Sequence, residues 1–538
     1  MSHSVVAPAA ARRLTGDAVP SVESRPLSPS ILRRPGLWVT LMTVVPLLVG
    51  SGYVIENWLG ARELARVKAA VAAAGIELDP HRIPSSRPPD AENFCATPLL
   101  LALGNGVTSG PEYQSVERLS RWRSDSYGNR PALQSLSRPE PADWALIRDV
   151  LAVNDLKSGL TRGGPEPLAE ISALLDRELA SVMADLEAAL PRPRSVLVPT
   201  SLDRLRGGQA AHDISLELTG LRNLFSVIEL RVHVDLASGR PDRAATGILL
   251  LLRLAEGVEA HETALGAMVG GSARIQALAA TWTAALSPEA LSKERWLELA
   301  AAHRAGGSLE RIPDILRGEM IFAHESGTLL RADRKRLWEW LGGYYTGGGT
   351  GVRWQQWLCE VIPPGWIDFN MARSLEGSLI MMQRFGDTAD PKRFNREKQT
   401  DQAREWLAAR SGLGHGTLAW HSFFMSSRIP AAVARFPFIS RLGETACALE
   451  ASHADHQEYP AELGALVPKY LPTVPVDVDG QSIRYTRDAG NGRYRLWSIG
   501  EDGIDDGGVV KYRDGRTPTN PRPWSEPVGD WIWYYPPK

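Results

Sequence analysis

No charged residue occurs between Arg34 and Glu56, and the run Gly36 to Ile55 reads GLWVTLMTVVPLLVGSGYVI. About 20 apolar residues at ~1.5 Å each span the ~30 Å hydrocarbon core as a helix. Pro46 lies inside the run, which membrane helices tolerate. Trp38, Tyr53 and Trp58 lie near its ends, where amphipathic rings favour the interface. Arg12, Arg13, Arg25, Arg33 and Arg34 precede it, and Glu56 opens the far flank. The positive-inside rule then keeps the N-terminus in the cytoplasm and exports the chain beyond residues 35–56. A buried core helix and a cleaved signal peptide are the competing readings. The basic flank, the long pre-segment and the lack of a following A-x-A site favour an uncleaved anchor. Residues 1–34, rich in Ala, Ser, Pro and Arg, read as a disordered cytoplasmic tail.

Beyond the anchor, LGARELARVKAAVAAA (Leu59 to Ala74) is helical by composition, and Gly75 can close it. DPHRIPSSRPPDAENF follows as an extended, proline-rich connector, so residues 57–94 read as a stalk and connector. Residues 95–437 form the body, where the apolar spacing is mainly helical. Helices are expected at Pro141 to Leu156, Pro167 to Ala189, Ala211 to Ser238, Pro241 to Glu259, His261 to Leu286 and Pro288 to Arg304. Further helix is expected at Arg317 to Trp340, Asp368 to Phe385 and Lys398 to Arg410. Pro241 suits a first helical turn and Asp242 suits the positive end of its dipole. One helix–turn–helix unit without a second copy at that period points to an irregular bundle, not a solenoid.

A long helix from Phe438 to His456 opens residues 438–538, and the pattern changes at Tyr459. YPAELGALVPKYLPTVP is a short helix bracketed by prolines, while QSIRYTRD and GRYRLWSIG alternate like two strands joined by DAGNG. The predicted fold class is therefore mainly α, with a single N-terminal transmembrane helix, an irregular helical bundle body and a small C-terminal α+β domain.

Composition narrows the function. A formal net charge of -2 over 538 residues lacks the basic surplus of a nucleic-acid binder. Cys95, Cys359 and Cys447 are too scattered for a zinc site or a disulfide scaffold and allow at most one bridge. The run LGGYYTGGGTGVRW lacks the Gly-Lys-Ser/Thr ending of a phosphate loop. Its aromatic neighbours, Trp338, Trp340, Tyr344, Tyr345, Trp354, Trp357 and Trp366, suit either core packing or a stacking platform for a sugar or peptide. His261-Glu262 and His324-Glu325 do not form HExxH. Glu450 and His453 make one Glu-x-x-His, but no second copy completes a di-iron set. His453, Asp455, His456 and Glu458 suit a transition metal or, more simply, a solvated helix end. No G-x-S-x-G elbow is present.

The remaining chemistry lies in YRLWSIGEDGIDDGG, Tyr494 to Gly508. Ser498, Glu501, Asp502, Asp505 and Asp506 offer the hard oxygen ligands that calcium prefers, and the glycines let the backbone curl around them. The spacing is not an EF-hand, since Ile504 stands where a ligand belongs. A solvated acidic turn is the alternative.

The order Tyr459-Pro460, Leu463, Leu466, Tyr470-Leu471-Pro472, Pro475, Asp477, Gly480, Tyr485, Tyr494, Ser498, Gly500, Asp502-Gly503 and Gly507-Gly508 resembles the C-terminal domain of the type II secretion major pseudopilin. That resemblance implies a pseudopilin-like tail over residues 440–508, with a long helix, a Tyr-Pro corner, a small antiparallel sheet and a turn that commonly binds calcium. Asp502 and Asp505 would lead the ligand set. The chain departs from the family in two respects. Its anchor lies hundreds of residues upstream without the leader-peptidase site, and Asp477-Val478-Asp479-Gly480 replaces Asp-Pro-Trp/Phe-Gly. Polymerisation as a pilin is therefore not expected. The layout, with Asn93-Phe94 and Thr97-Pro98-Leu99-Leu100 after the anchor, also resembles uncharacterised membrane-anchored bacterial envelope proteins. The expected function is a membrane-anchored envelope scaffold or interaction protein linked to secretion, in the inner membrane with its bulk periplasmic. A periplasmic enzyme with its pocket in the helical body, or a carbohydrate-binding surface protein, is the alternative. The membrane and envelope or secretion proteins are the expected partners, with no nucleic acid.

Overall fold

Helix α1 runs unbroken from Pro35 to Ala73, so the apolar run and the expected stalk are one element. The structure, a computed structural model, describes residues 35–85, 87–123, 142–154, 159–207, 214–261, 263–286, 291–306, 311–334, 360–385, 405, 409, 417–488, 492–500, 503–508, 510–512 and 527–533. Among them α1 is the one helix long and apolar enough to cross a membrane, with a mostly exposed apolar stretch within Met42–Ala73. Met42, Leu47, Leu48, Val49 and Val54 are exposed, a contiguous apolar surface that water disfavours. The residues of α1 beyond Glu56 behave differently. Val67 and Val71 are buried in a cluster with Met320, Ile321, Met371 and Leu375. Asn57 Oδ1 accepts the Gly365 N–H at 2.8 Å, and Arg66 reaches Glu376 at 2.9 Å. This stretch is therefore docked along the body and is not a free stalk.

The chain divides into two units, Met1–Glu56 and Asn57–Lys538. The second begins with α2 (Pro98–Gly104), α3 (Pro111–Ser120), α4 (Trp144–Asn154), α5 (Pro167–Glu178), α6 (Ala180–Ala189) and α7 (Ser201–Arg206). It continues with α8 (Ile214–Ala237), α9 (Pro241–Glu259), α10 (Ala264–Ala285), α11 (Lys293–Ala305) and α12 (Ile312–Ala332). Two long helices, α13 (Pro364–Phe385) and α14 (Thr417–His456), complete it. The expected helix at Pro167 to Ala189 is two, because Leu179 leaves helical geometry (φ −108°, ψ 2°). Helix α14 begins well before Phe438 and carries Pro430 and Pro437, residues that read locally as breakers. The glycine run at 341–354, most of the expected helix from Lys398 to Arg410, Trp338, Trp340, Trp357 and Cys359 lie outside the described residues. So do residues 1–34.

Helix α10 is the hub, packed on α8, α9 and α14. Its small residues make that possible. A Cβ on Gly271 would fall 2.0 Å from ring atoms of Phe436, so only glycine admits that ring.

In the tail β1 (Arg484–Asp488) pairs antiparallel with β2 (Arg493–Ser498), as the alternation anticipates. A short two-stranded ribbon joins β3 (Val510–Tyr512) to β4 (Pro527–Gly529). Strand β5 (Trp531–Trp533) adds to the free edge of β2, setting Leu496 opposite Trp533. Among the described residues the tail has no separate core. Tyr459, Leu466, Tyr494, Leu496 and Trp533 belong to the same buried cluster as Leu250 and Trp282 of the body.

Candidate functional site

The acidic turn leaves the end of β2, where the strand pairing delivers Ser498 into the interior, 0% exposed. Its hydroxyl donates to Asp477 Oδ1 at 2.5 Å and accepts the Gly500 N–H at 3.2 Å. Asp477, also 0% exposed, is the centre of the arrangement. It further accepts the N–H groups of Val478 (2.8 Å) and Ile499 (2.9 Å) and one Arg484 nitrogen at 3.0 Å. Arg484 continues outward to Asp479 at 2.5 Å and Asp505 at 3.5 Å. One guanidinium thus bridges three carboxylates, and its bonds hold Asp479 below the usual carboxylate range. The Trp497 indole N–H (3.0 Å) and the Gly507 N–H (2.9 Å) also meet Asp505 and lower its pKa.

A second carboxylate closes the turn from the far end of the chain. Asp530, 1% exposed, accepts the Gly508 N–H at 2.7 Å and the Asp506 N–H at 3.3 Å. Burial raises its pKa, and the neighbouring Asp505 and Asp506 carboxylates push it the same way. Gly500, at φ 65°, passes so close to β4 that a Cβ would sit 2.1 Å from the Gly529 carbonyl oxygen. The turn needs a glycine there on both counts.

The expected calcium ligands therefore divide. Ser498 is committed inward to Asp477. Asp505 is exposed but bonded to Trp497, Gly507 and Arg484, and half-buried Asp506 lies with it within electrostatic reach of Asp530. Glu501 and Asp502 lie outside the described residues. Among the described residues no three His, Cys, Asp or Glu side chains gather in a metal-holding group. Asp505, Asp506 and Asp530 are the described carboxylates that face one another across the turn. Asp530 is invisible to local sequence reading. The only sequence signal for it is the alternating DWIWYY that marks β5.

Other clusters resolve into structure. Glu450, 1% exposed, accepts the hydroxyls of Tyr459 and Tyr494 at 3.0 Å each, so the Glu-x-x-His carboxylate fastens α14 to the sheet. His453 stacks on Tyr459 at 4.5 Å. Asp455 meets Lys293, Lys469 and the Tyr470 hydroxyl, which drive its pKa down, and Glu458 pairs with Arg487 at 3.0 Å. His324 lies between Glu325 and Lys68, both at 3.0 Å. Ser201 and His261 form a dyad at 3.1 Å that sequence reading missed. Both are buried, and burial lowers the His261 pKa to about 4, leaving a weak base sealed from substrate.

The Asn-Phe-x-x-Thr-Pro-Leu-Leu motif is a packing device. Asn93 Nδ2 donates to the Val196 carbonyl (2.8 Å) while its Oδ1 accepts the Val196 N–H (2.9 Å), like one rung of a strand ladder. Phe94 fills the core beneath the Arg253 guanidinium, and Thr97-Pro98 opens α2. Cys95 and Cys447 are free and buried, and burial pushes the Cys95 thiol up to about 12, which makes it inert. No family model matches the chain, and neither a curated protein nor a solved structure matches it.

Proposed function

We propose that this chain is an envelope scaffold or interaction protein, tethered by α1 and presenting the pseudopilin-like tail as its docking end. The N-terminus lies in the cytoplasm, and the body and tail lie in the periplasm. The observation that carries this reading is the two-part character of α1, with an exposed apolar span followed by a segment clamped to the body. The acidic turn holds the end of the sheet together. Calcium, where present, would be held by Asp505, Asp506 and Asp530 with Glu501 and Asp502, neutralising their mutual repulsion. A link to a secretion assembly rests on the ordered Tyr459-Pro460 to Gly507-Gly508 motifs. The test is affinity capture of the native protein from membranes. Recovery with secretion or other envelope components is the expected result. Recovery of the chain alone would remove the scaffold reading.

A further inference from the structure

A cleft of about 440 Å³ opens between α3, α8 and α10. That size lies within the roughly 300–1,000 Å³ of small-ligand sites. The side chains that matter are Glu117 and Arg121 at the end of α3, Arg222 and Ser226 on α8, and Ser272 and Gln276 on α10. The last four are two i,i+4 pairs, so each helix presents one polar face to the cleft. Among the described residues no aromatic or aliphatic side chain lines it.

Two of these groups are left unsatisfied by the protein. Gln276 is 8% exposed and Ser226 is 5% exposed, yet neither Gln276 Oε1 nor Ser226 Oγ has a hydrogen-bond partner. Native interiors rarely leave such atoms unpaired, because each loses its hydration without replacement. Gln276 Oε1 is an acceptor only, so its partner must bring an O–H or N–H donor. The hydroxyls of Ser226 and Ser272 donate or accept. Glu117 and Arg121 cancel each other in an ion pair at 3.3 Å. Arg222 has no ion pair among the described residues, and it leaves the cleft one positive charge in excess.

We propose that this cleft binds a small polyhydroxylated carboxylate of sugar-acid size, with hydroxyls on Gln276, Ser226 and Ser272 and the carboxylate on Arg222. The site is independent of the tethering function and of the calcium turn.

The test is calorimetric and thermal titration of the full-length protein in detergent with D-glucuronate, D-glucose and acetate. Glucuronate binds, glucose binds more weakly for want of the carboxylate, and acetate gives no signal. Gln276→Leu weakens glucuronate about tenfold or more without lowering the melting temperature, since it removes an unpaired group. Ser226→Ala weakens it as well, and Arg222→Gln abolishes the preference for glucuronate over glucose. No binding of glucuronate at about 10 mM would overturn the proposal. So would unchanged affinity in both Gln276→Leu and Ser226→Ala, which would place binding elsewhere. A Gln276→Leu protein that melts early while Ser226→Ala binds normally would make the glutamine structural and also overturn it.

Discussion

Helix α8 of the body and strand β1 of the tail each bring a charged residue into a half-buried network, in opposite ratios. At the end of α8, Asp235 is 1% exposed and meets Arg240 at 2.8 Å, with Arg231 at 3.7 Å and Arg243 at 3.8 Å. Guanidiniums outnumber carboxylates there, even counting Asp176, which the same arginines share. In the tail Arg484 is the one guanidinium ion-paired to Asp477, Asp479 and Asp505 among the described residues, with Asp506 and Asp530 beside them and Arg441 of α14 acting on Asp477 at longer range. A carboxylate ringed by arginines survives the loss of one. An arginine ringed by carboxylates is irreplaceable, and the excess anion around it favours a further cation.

The sharpest test of that contrast is to remove one arginine from each network. Arg484→Met removes the one ion-paired cation of buried Asp477 among the described residues, leaving it only hydrogen-bond donors and the more distant Arg441, and should cost about 3–5 kcal/mol in urea unfolding. Arg240→Met leaves Asp235 with two other guanidiniums and should cost about 1–2 kcal/mol. Equal losses would break the contrast. Calcium probes the same difference from the other side. A site with a dissociation constant of about 0.1–1 mM would stabilise the protein by about 1.4–2.7 kcal/mol at about 10 mM calcium. The gain should vanish in Asp530→Asn and persist in Arg240→Met, read as a shift in melting temperature. No shift in the wild type would remove calcium from the tail.

Protonation separates the regions more gently. In the body burial raises Glu319 from 4.5 to about 7, although its carboxylate accepts the Ala264 N–H at the start of α10 at 2.8 Å. The folded form then binds more protons between those values, so this contribution is full below 4.5 and is lost as pH rises to about 7. Wild type should therefore lose stability relative to Glu319→Gln across that window. Asp479 and Asp505 in the tail have lowered pKa values, so their contribution is present above the ordinary carboxylate range and is lost in acid. The smallest effect belongs to the exposed pair of Arg487 and Glu458, where Arg487→Ala should cost about 0.5 kcal/mol or less in the same urea assay.

Local signals were the legible ones. Pro241 and Asp242 open α9, and its bounds in the fold match those read from the pattern. Alternation in QSIRYTRD and GRYRLWSIG locates β1 and β2. What local pattern hid depends on distant partners. Pro430 and Pro437 mask the start of α14, whose helix is held by packing against α10, α11 and α13. The docking of α1 on α13 buries Val67 and Val71 with Met371 and Leu375 and pairs Arg66 with Glu376, partners with no local trace. In the acidic turn, sequence reading located Ser498, Asp505 and Asp506 but missed Arg484 as their cation and Asp530 as the closing carboxylate. Both lie on other strands or strand ends, brought in by register alone.

The central claim is that body and tail share one core and fold as one unit. Native-state hydrogen exchange on the full-length protein in detergent tests it most directly. Amides of α10 and of β2 should reach the same maximal protection and lose it together as urea is added. Loss of protection in β2 at a urea concentration where α10 is still fully protected would contradict the claim and make the tail a separate domain.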